Sequence, residues 1–127
     1  MCIRDRSKLL NAVNALVLLI PTNQSASLLH LAALDNQGAG KVVLGLHGYL
    51  DNAESLRLLA PYLQTHRFIA LDLAGHGRSG HRALGAHYNQ ADYLQDLYAL
   101  IESQEWEEVI LLGHSLGGIL ALSLIHI

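Results

Sequence analysis

The apolar positions of this chain follow two rhythms. Five nearly unbroken apolar runs, Leu16–Ile20, Leu28–Leu34, Val42–Leu46, Phe68–Leu73 and Val109–Leu112, have the length of strands. Between and after them, apolar residues recur at spacings of three and four. Leu56, Leu59 and Leu63 form one such stripe, and Leu94, Leu97, Tyr98 and Ile101 a second within Asp92–Ser103. Leu116–Leu122 reads as a further, apolar helix. Unbroken runs, as opposed to alternating ones, predict strands buried on both faces, as in a parallel sheet covered by helices. From Val42 onward the order strand, helix, strand, helix, strand predicts right-handed crossovers and an α/β fold. The first two runs are separate from that rhythm. Pro21 stops one, and Asp35–Gly40 supplies turn chemistry after the other, so they read as an antiparallel pair at a sheet edge.

Local signals refine the helices. Asp51 with Glu54 three residues later reads as a capping box. Pro61 shortens or kinks the helix that follows. In parallel sheets, ligands bind where strands end at their carboxyl side. The loops at His47, Asp72 and Gly113 are therefore the places to look for chemistry.

Composition narrows the function classes. The chain has 127 residues, enough for one small domain, and 51% of them are hydrophobic. Its formal net charge of −3 offers no basic field for nucleic acid. Cys2 is the single cysteine, so an internal disulfide and a cysteine-based zinc site are excluded. Arg4, Arg6 and Lys8 ahead of Leu9–Ile20 imitate a secretory signal. That run contains Asn11 and Asn14 and falls short of the ~20 apolar residues a membrane span needs. The expectation is a cytoplasmic protein without stable membrane insertion.

The two ends form a pair of their own. Residues 1–6 can be encoded by ATGTGTATAAGAGACAG plus one base, and the reverse complement, CTGTCTCTTATACACAT plus one base, can encode residues 122–127. This element resembles a transposon-derived sequencing adaptor, which points to a metagenomic assembly. On that reading Cys2 and His126 are not functional candidates, and the natural segment, a partial domain, is 7–121.

Gly113-His114-Ser115-Leu116-Gly117 fits G-x-S-x-G between a predicted strand and a predicted helix. A turn that tight needs small residues around its centre, which Gly113 and Gly117 provide. It lifts Ser115 to the rim of the sheet at a helix N-terminus, where free N–H groups favour developing negative charge. The Leu116 N–H is then placed to donate to an oxyanion. A second donor is expected from the loop after the preceding strand, at the Tyr49 N–H. His47, Gly48 and His114 are candidates for lining the substrate, although a histidine at position 47 more often orders its loop by hydrogen bonding. Asp72 before Gly75 and Gly77 reads as a turn held by a carboxylate accepting backbone N–H bonds, in preference to a ribose or phosphate site. His76, His81 and His87 lack companion carboxylates at ligand spacing, so they read as solvated or turn-packing residues and no metal site is expected. Glu102, Glu105, Glu107 and Glu108 read as a solvated helix end and loop.

Together, His47–Ala53, Ala70–Ser79 and Gly113–Gly118 resemble the α/β-hydrolase superfamily, and in particular its serine hydrolase-like branch. Corresponding loops there run close to HGWLDNA, ALDLPGHGRS and GHSMGG, with Tyr49 here in place of Trp and Ala74 in place of Pro. The resemblance covers about Val42 to Leu120. It implies a mostly parallel sheet with helices on both faces. It also implies a serine hydrolase acting on a carboxylic ester or related small acyl substrate without a cofactor. Ser115 would be the nucleophile, with the Tyr49 and Leu116 N–H groups forming the oxyanion hole. A serine at this turn argues against haloalkane dehalogenases and epoxide hydrolases, which use aspartate. A non-catalytic binding protein, an acyltransferase or a C–C bond hydrolase on the same scaffold are the alternatives. The family's triad runs Ser, acid, His, yet only 12 residues follow Ser115, so the acid and His are expected outside this chain. The chain then reads as the N-terminal half of the fold, with its C-terminal strands missing, inactive alone and exposed along the Val109–Leu112 edge.

Overall fold

The strand that organises the molecule is the run Val42–Leu46, in which every residue is buried. The structure is a computed structural model and describes residues 14–21 and 28–126. Its strands are β1 (Asn14–Pro21), β2 (Leu28–Asp35), β3 (Val42–Leu46), β4 (Arg67–Leu71) and β5 (Val109–Gly113). A 3-10 helix spans Ala53–Leu63, and two α-helices follow, α1 (Gln90–Ser103) and α2 (Leu116–Ile125). One five-stranded sheet runs in the order β1-β2-β4-β3-β5. β3 pairs in parallel with both β4 and β5, while β1–β2 and β2–β4 are antiparallel. The expected antiparallel pair at a sheet edge is thus present, joined to the parallel part through β4.

Helices cover both faces. On one face Leu44, Leu46, Ile69 and Leu71 pack with Tyr93, Leu97 and Leu100 of α1 and Leu120 and Leu124 of α2. On the other, Val43, Phe68 and Ala70 pack under Ala53, Leu56 and Ala60 of the 3-10 helix. Gly45 belongs to this second face, where an added Cβ would lie 2.9 Å from the Phe68 ring and 3.1 Å from Leu56.

Three expectations are corrected by this packing. The 3-10 helix is capped by Asn52, whose side chain accepts from the Glu54 N–H at 3.0 Å. Asp51 instead accepts from the Asn52 N–H at 2.8 Å, so the expected Asp51 capping box does not form. Leu59 is exposed, and Ala60 takes the buried position, packed with Leu56 and Phe68. In α1 the buried stripe is Tyr93, Leu97 and Leu100, and Tyr98 faces outward at 51% exposure. The capping box expected elsewhere occurs here: Asn89 and Asp92 each accept the other's backbone N–H, at 3.0 and 3.3 Å.

The fifth run also differs from its companions. β5 is half-exposed along its length, with Ile110 41% exposed, because it lies at the edge of the sheet. Helix α2 continues through Leu122–Ile125, with Leu124 buried and Ser123 accepting from the Gln90 side chain at 2.9 Å. The corresponding stretch at the other end, 1–6, and the run ahead of Asn14 lie outside the described residues. Among the described residues, no helix is long and apolar enough to cross a membrane.

Candidate active site at the carboxyl ends of the parallel strands

Register brings the three predicted loops together. Leu46 is paired with Leu71 on one side and Gly113 on the other. The segments after these residues therefore leave the sheet side by side: His47 in the middle, Asp72 beside it, and His114-Ser115 across from it.

Ser115 sits between β5 and α2 with φ 55° and ψ −117°, a conformation that L-residues rarely adopt. Such a backbone costs on the order of 1–3 kcal/mol and persists only where its surroundings impose it. Two glycines make the tight turn possible here. A Cβ on Gly113 would overlap the Gly117 carbonyl, and a Cβ on Gly117 would overlap the Leu46 carbonyl oxygen. Gly117 thus lets α2 begin directly against the end of β3. Ser115 makes no side-chain capping bond to α2 and is exposed, as is His114. The His114 N–H donates to Leu46 at 3.1 Å, which ties the turn to β3.

Gly48 is the nearest part of the facing loop. An added Cβ there would lie 3.3 Å from the Ser115 Cβ and 3.4 Å from His114 Nδ1. The Gly48 carbonyl accepts the Asp51 N–H at 3.2 Å, closing a turn over Tyr49 and Leu50. Leu50 has φ 56°, and both residues are strongly exposed. Among the described residues, neither the Tyr49 nor the Leu116 N–H has a hydrogen-bond acceptor.

The sequence places His47, Gly48 and His114 near the substrate. The structure buries His47 and Gly48 and leaves His114 at the surface. His47 is 0% exposed and both ring nitrogens are engaged. Nε2 accepts the Leu73 N–H at 3.0 Å, and Nδ1 lies 2.7 Å from the Gly48 carbonyl oxygen. A backbone N–H can only donate, so Nε2 carries no proton and Nδ1 carries it. Burial pushes the His47 pKa below the ordinary imidazole value, with the bond to Gly48 opposing this and nearby His76 reinforcing it.

The Asp72 loop is a structural staple, as its sequence suggests. The Asp72 carboxylate accepts the Ala53 N–H at 2.7 Å and the Arg78 N–H at 3.1 Å. Its backbone carbonyl takes the Ser79 hydroxyl, and that oxygen in turn accepts the Ala32 N–H at 2.9 Å. The loop is thereby fastened to the 3-10 helix and to β2. The His76 ring lies 5.1 Å from that of His47 between centroids, tilted by 53°, while His81 and His87 are exposed. Among the described residues, no three His, Cys, Asp or Glu side chains gather as a metal cage would require.

One element escaped the sequence reading. Arg82 forms a largely buried, two-bonded ion pair with Asp96 and lies 5.4 Å and 5.7 Å from the centres of the Tyr88 and Tyr93 rings. Burial pushes the Asp96 carboxyl above its usual range, against the opposing pull of Arg82. A signal was present: Asp96 falls between Tyr93 and Leu97 on the buried stripe of α1, where a carboxylate requires a partner.

Comparison with known proteins agrees with this geometry. Residues 41–126 match the family model for the alpha/beta hydrolase fold. The chain is 40% identical over 80 residues to a serine hydrolase-like protein of Danio rerio, covering 62% of this chain and 24% of that one. A solved structure of a hypothetical protein from Pseudomonas aeruginosa PAO1 is 44% identical, with a TM-score of 0.74, over 85% of this chain and 37% of that one. An epoxide hydrolase of Vigna radiata superposes with a TM-score of 0.76 at 25% identity, over 89% of this chain and 35% of that one. The chain therefore spans about a quarter of that curated relative and little more than a third of these solved structures. With its parallel strands, its strained serine turn and a family model matched over most of its length, this chain belongs to the alpha/beta hydrolase fold family.

Proposed function

We propose that the protein carrying this chain is a serine hydrolase of small carboxylic esters or related acyl compounds, with Ser115 as nucleophile. The observation that carries the reading is the exposed Ser115 on a positive-φ turn at the start of α2, with the Gly48 loop packed alongside it. The Ser115 Oγ adds to the acyl carbon, and its proton passes to a histidine base. The carbonyl oxygen takes the negative charge between the Tyr49 and Leu116 N–H groups. Collapse expels the alcohol, which collects the proton from the histidine. Water then releases the acid from the acyl-enzyme by the same steps.

The residues after Ser115 contain no Asp or Glu. The triad acid and histidine are assigned to the remainder of the longer protein, and residues 7–121 to a partial hydrolase domain. Serine in the nucleophile position separates this reading from the aspartate-based chemistry of epoxide hydrolases. In the full-length protein, Ser115→Ala is expected to lower kcat on p-nitrophenyl acyl esters by about 10³-fold or more, with KM little changed. Turnover that survives this substitution contradicts the proposal and favours a binding protein or a different chemistry on the same scaffold.

A further inference from the structure

His47 is completely buried one residue from the loop that faces Ser115, and no step of the proposed reaction uses it. Its two hydrogen bonds nevertheless connect the loop after β4 to the peptide that would hold the oxyanion. The Leu73 N–H occupies Nε2, so the proton sits on Nδ1 and is directed at the Gly48 carbonyl oxygen, 2.7 Å away. The same oxygen accepts the Asp51 N–H at 3.2 Å. Two donors on one carbonyl fix the rotation of the Gly48–Tyr49 peptide plane. In a trans peptide the N–H points opposite to the C=O. Holding the Gly48 carbonyl toward His47 and Asp51 therefore turns the Tyr49 N–H away from them, with no acceptor among the described residues.

Resting on the assignment of the Tyr49 N–H to the oxyanion hole, we infer that His47 is a positioning residue. In its neutral, Nδ1-protonated form it transmits the place of the Leu73 backbone to the oxyanion peptide. The surroundings favour that form. His76 lies against the ring at 5.1 Å between centroids, and its own Nδ1 is engaged with the Ala74 carbonyl at 3.0 Å. The Asp72 carboxylate is drawn off by the Ala53 and Arg78 N–H groups, and Asp51 by the Asn52 N–H. A second proton on His47 would set an N–H against the Leu73 N–H and release the ring from the loop after β4.

Amide side chains divide the two bonds. Asparagine reaches the Nδ1 position and keeps a donor for Gly48, whereas glutamine reaches toward Nε2 and keeps an acceptor for Leu73. In the full-length protein, His47→Asn is expected to hold kcat on p-nitrophenyl esters within about 10-fold of the parent. His47→Gln is expected to lose about 100-fold in kcat, the loss associated with one oxyanion donor, with KM nearly unchanged. Equal losses in both variants, or losses confined to KM, would overturn the inference. A long-range proton–nitrogen NMR spectrum of the unmutated full-length protein at neutral pH tests it without any variant. A bare Nε2 and protonated Nδ1 are expected for His47, and the opposite tautomer or a charged ring would refute it. Ester turnover that persists in Ser115→Ala would instead remove the assignment of the site on which the inference stands.

Discussion

Ser115 and His47 are both held in states that water alone would not favour. For Ser115 the state is a positive-φ backbone conformation, in a tight turn that the bare backbones of Gly113 and Gly117 make room for. For His47 it is the tautomer with its proton on Nδ1, imposed by the Leu73 N–H at Nε2. The second has a consequence for stability. The folded pKa of His47 lies below its ordinary value of 6.5, so the unfolded chain takes up the proton first as pH falls. The stabilisation from neutral His47 is therefore fully present above pH 6.5 and drains away as pH drops toward the lower, folded value. Thermal unfolding of the parent and of His47→Asn in the full-length protein measures this. The parent's advantage is expected to shrink steadily below pH 6.5, and a constant difference across that range would contradict it.

Elements were legible where a pattern is local. β3 ends at Leu46 as its apolar run does, and the serine turn announces itself through glycines at fixed offsets. Asp72 was readable as a turn staple because carboxylates before glycines accept nearby N–H groups. What sequence did not give depends on distant packing. Ala60, and not Leu59, joins Phe68 and Leu56 in the buried cluster, and Tyr98 turns outward from α1. The Arg82–Asp96 pair spans an irregular segment with no periodicity to register it. Removing Arg82 leaves the buried Asp96 carboxylate without its cation, in a place where burial already raises its pKa. Arg82→Ala is expected to destabilise the full-length protein by about 3 kcal/mol in chemical denaturation. Adding Asp96→Leu is expected to restore much of that loss. Additive losses would show that the pair contributes through packing alone.

On the scale of the whole molecule, the two edges of the sheet are unequal. β1 and β2 form an antiparallel margin far from Ser115, whereas β5, which leads into the serine turn, is itself an edge. Beside it α2 exposes Ile119, Leu122 and Ile125, and β5 exposes Ile110. An uncovered parallel edge next to apolar side chains is a template for further pairing. The 127-residue chain expressed by itself is therefore expected to self-associate, with apparent mass rising with concentration in light scattering. Ile110→Lys is expected to reduce that rise, and a monomer at all concentrations would contradict the account. The same asymmetry places the serine turn next to the open edge. The central claim is that the turn between β5 and α2 presents a reactive hydroxyl to an oxyanion site. Its most direct test is to treat the full-length protein with a fluorophosphonate and locate the adduct by tandem mass spectrometry. The account predicts a single phosphonylated residue, Ser115, and no labelling after Ser115→Ala; an unlabelled protein, or an adduct elsewhere, would contradict it.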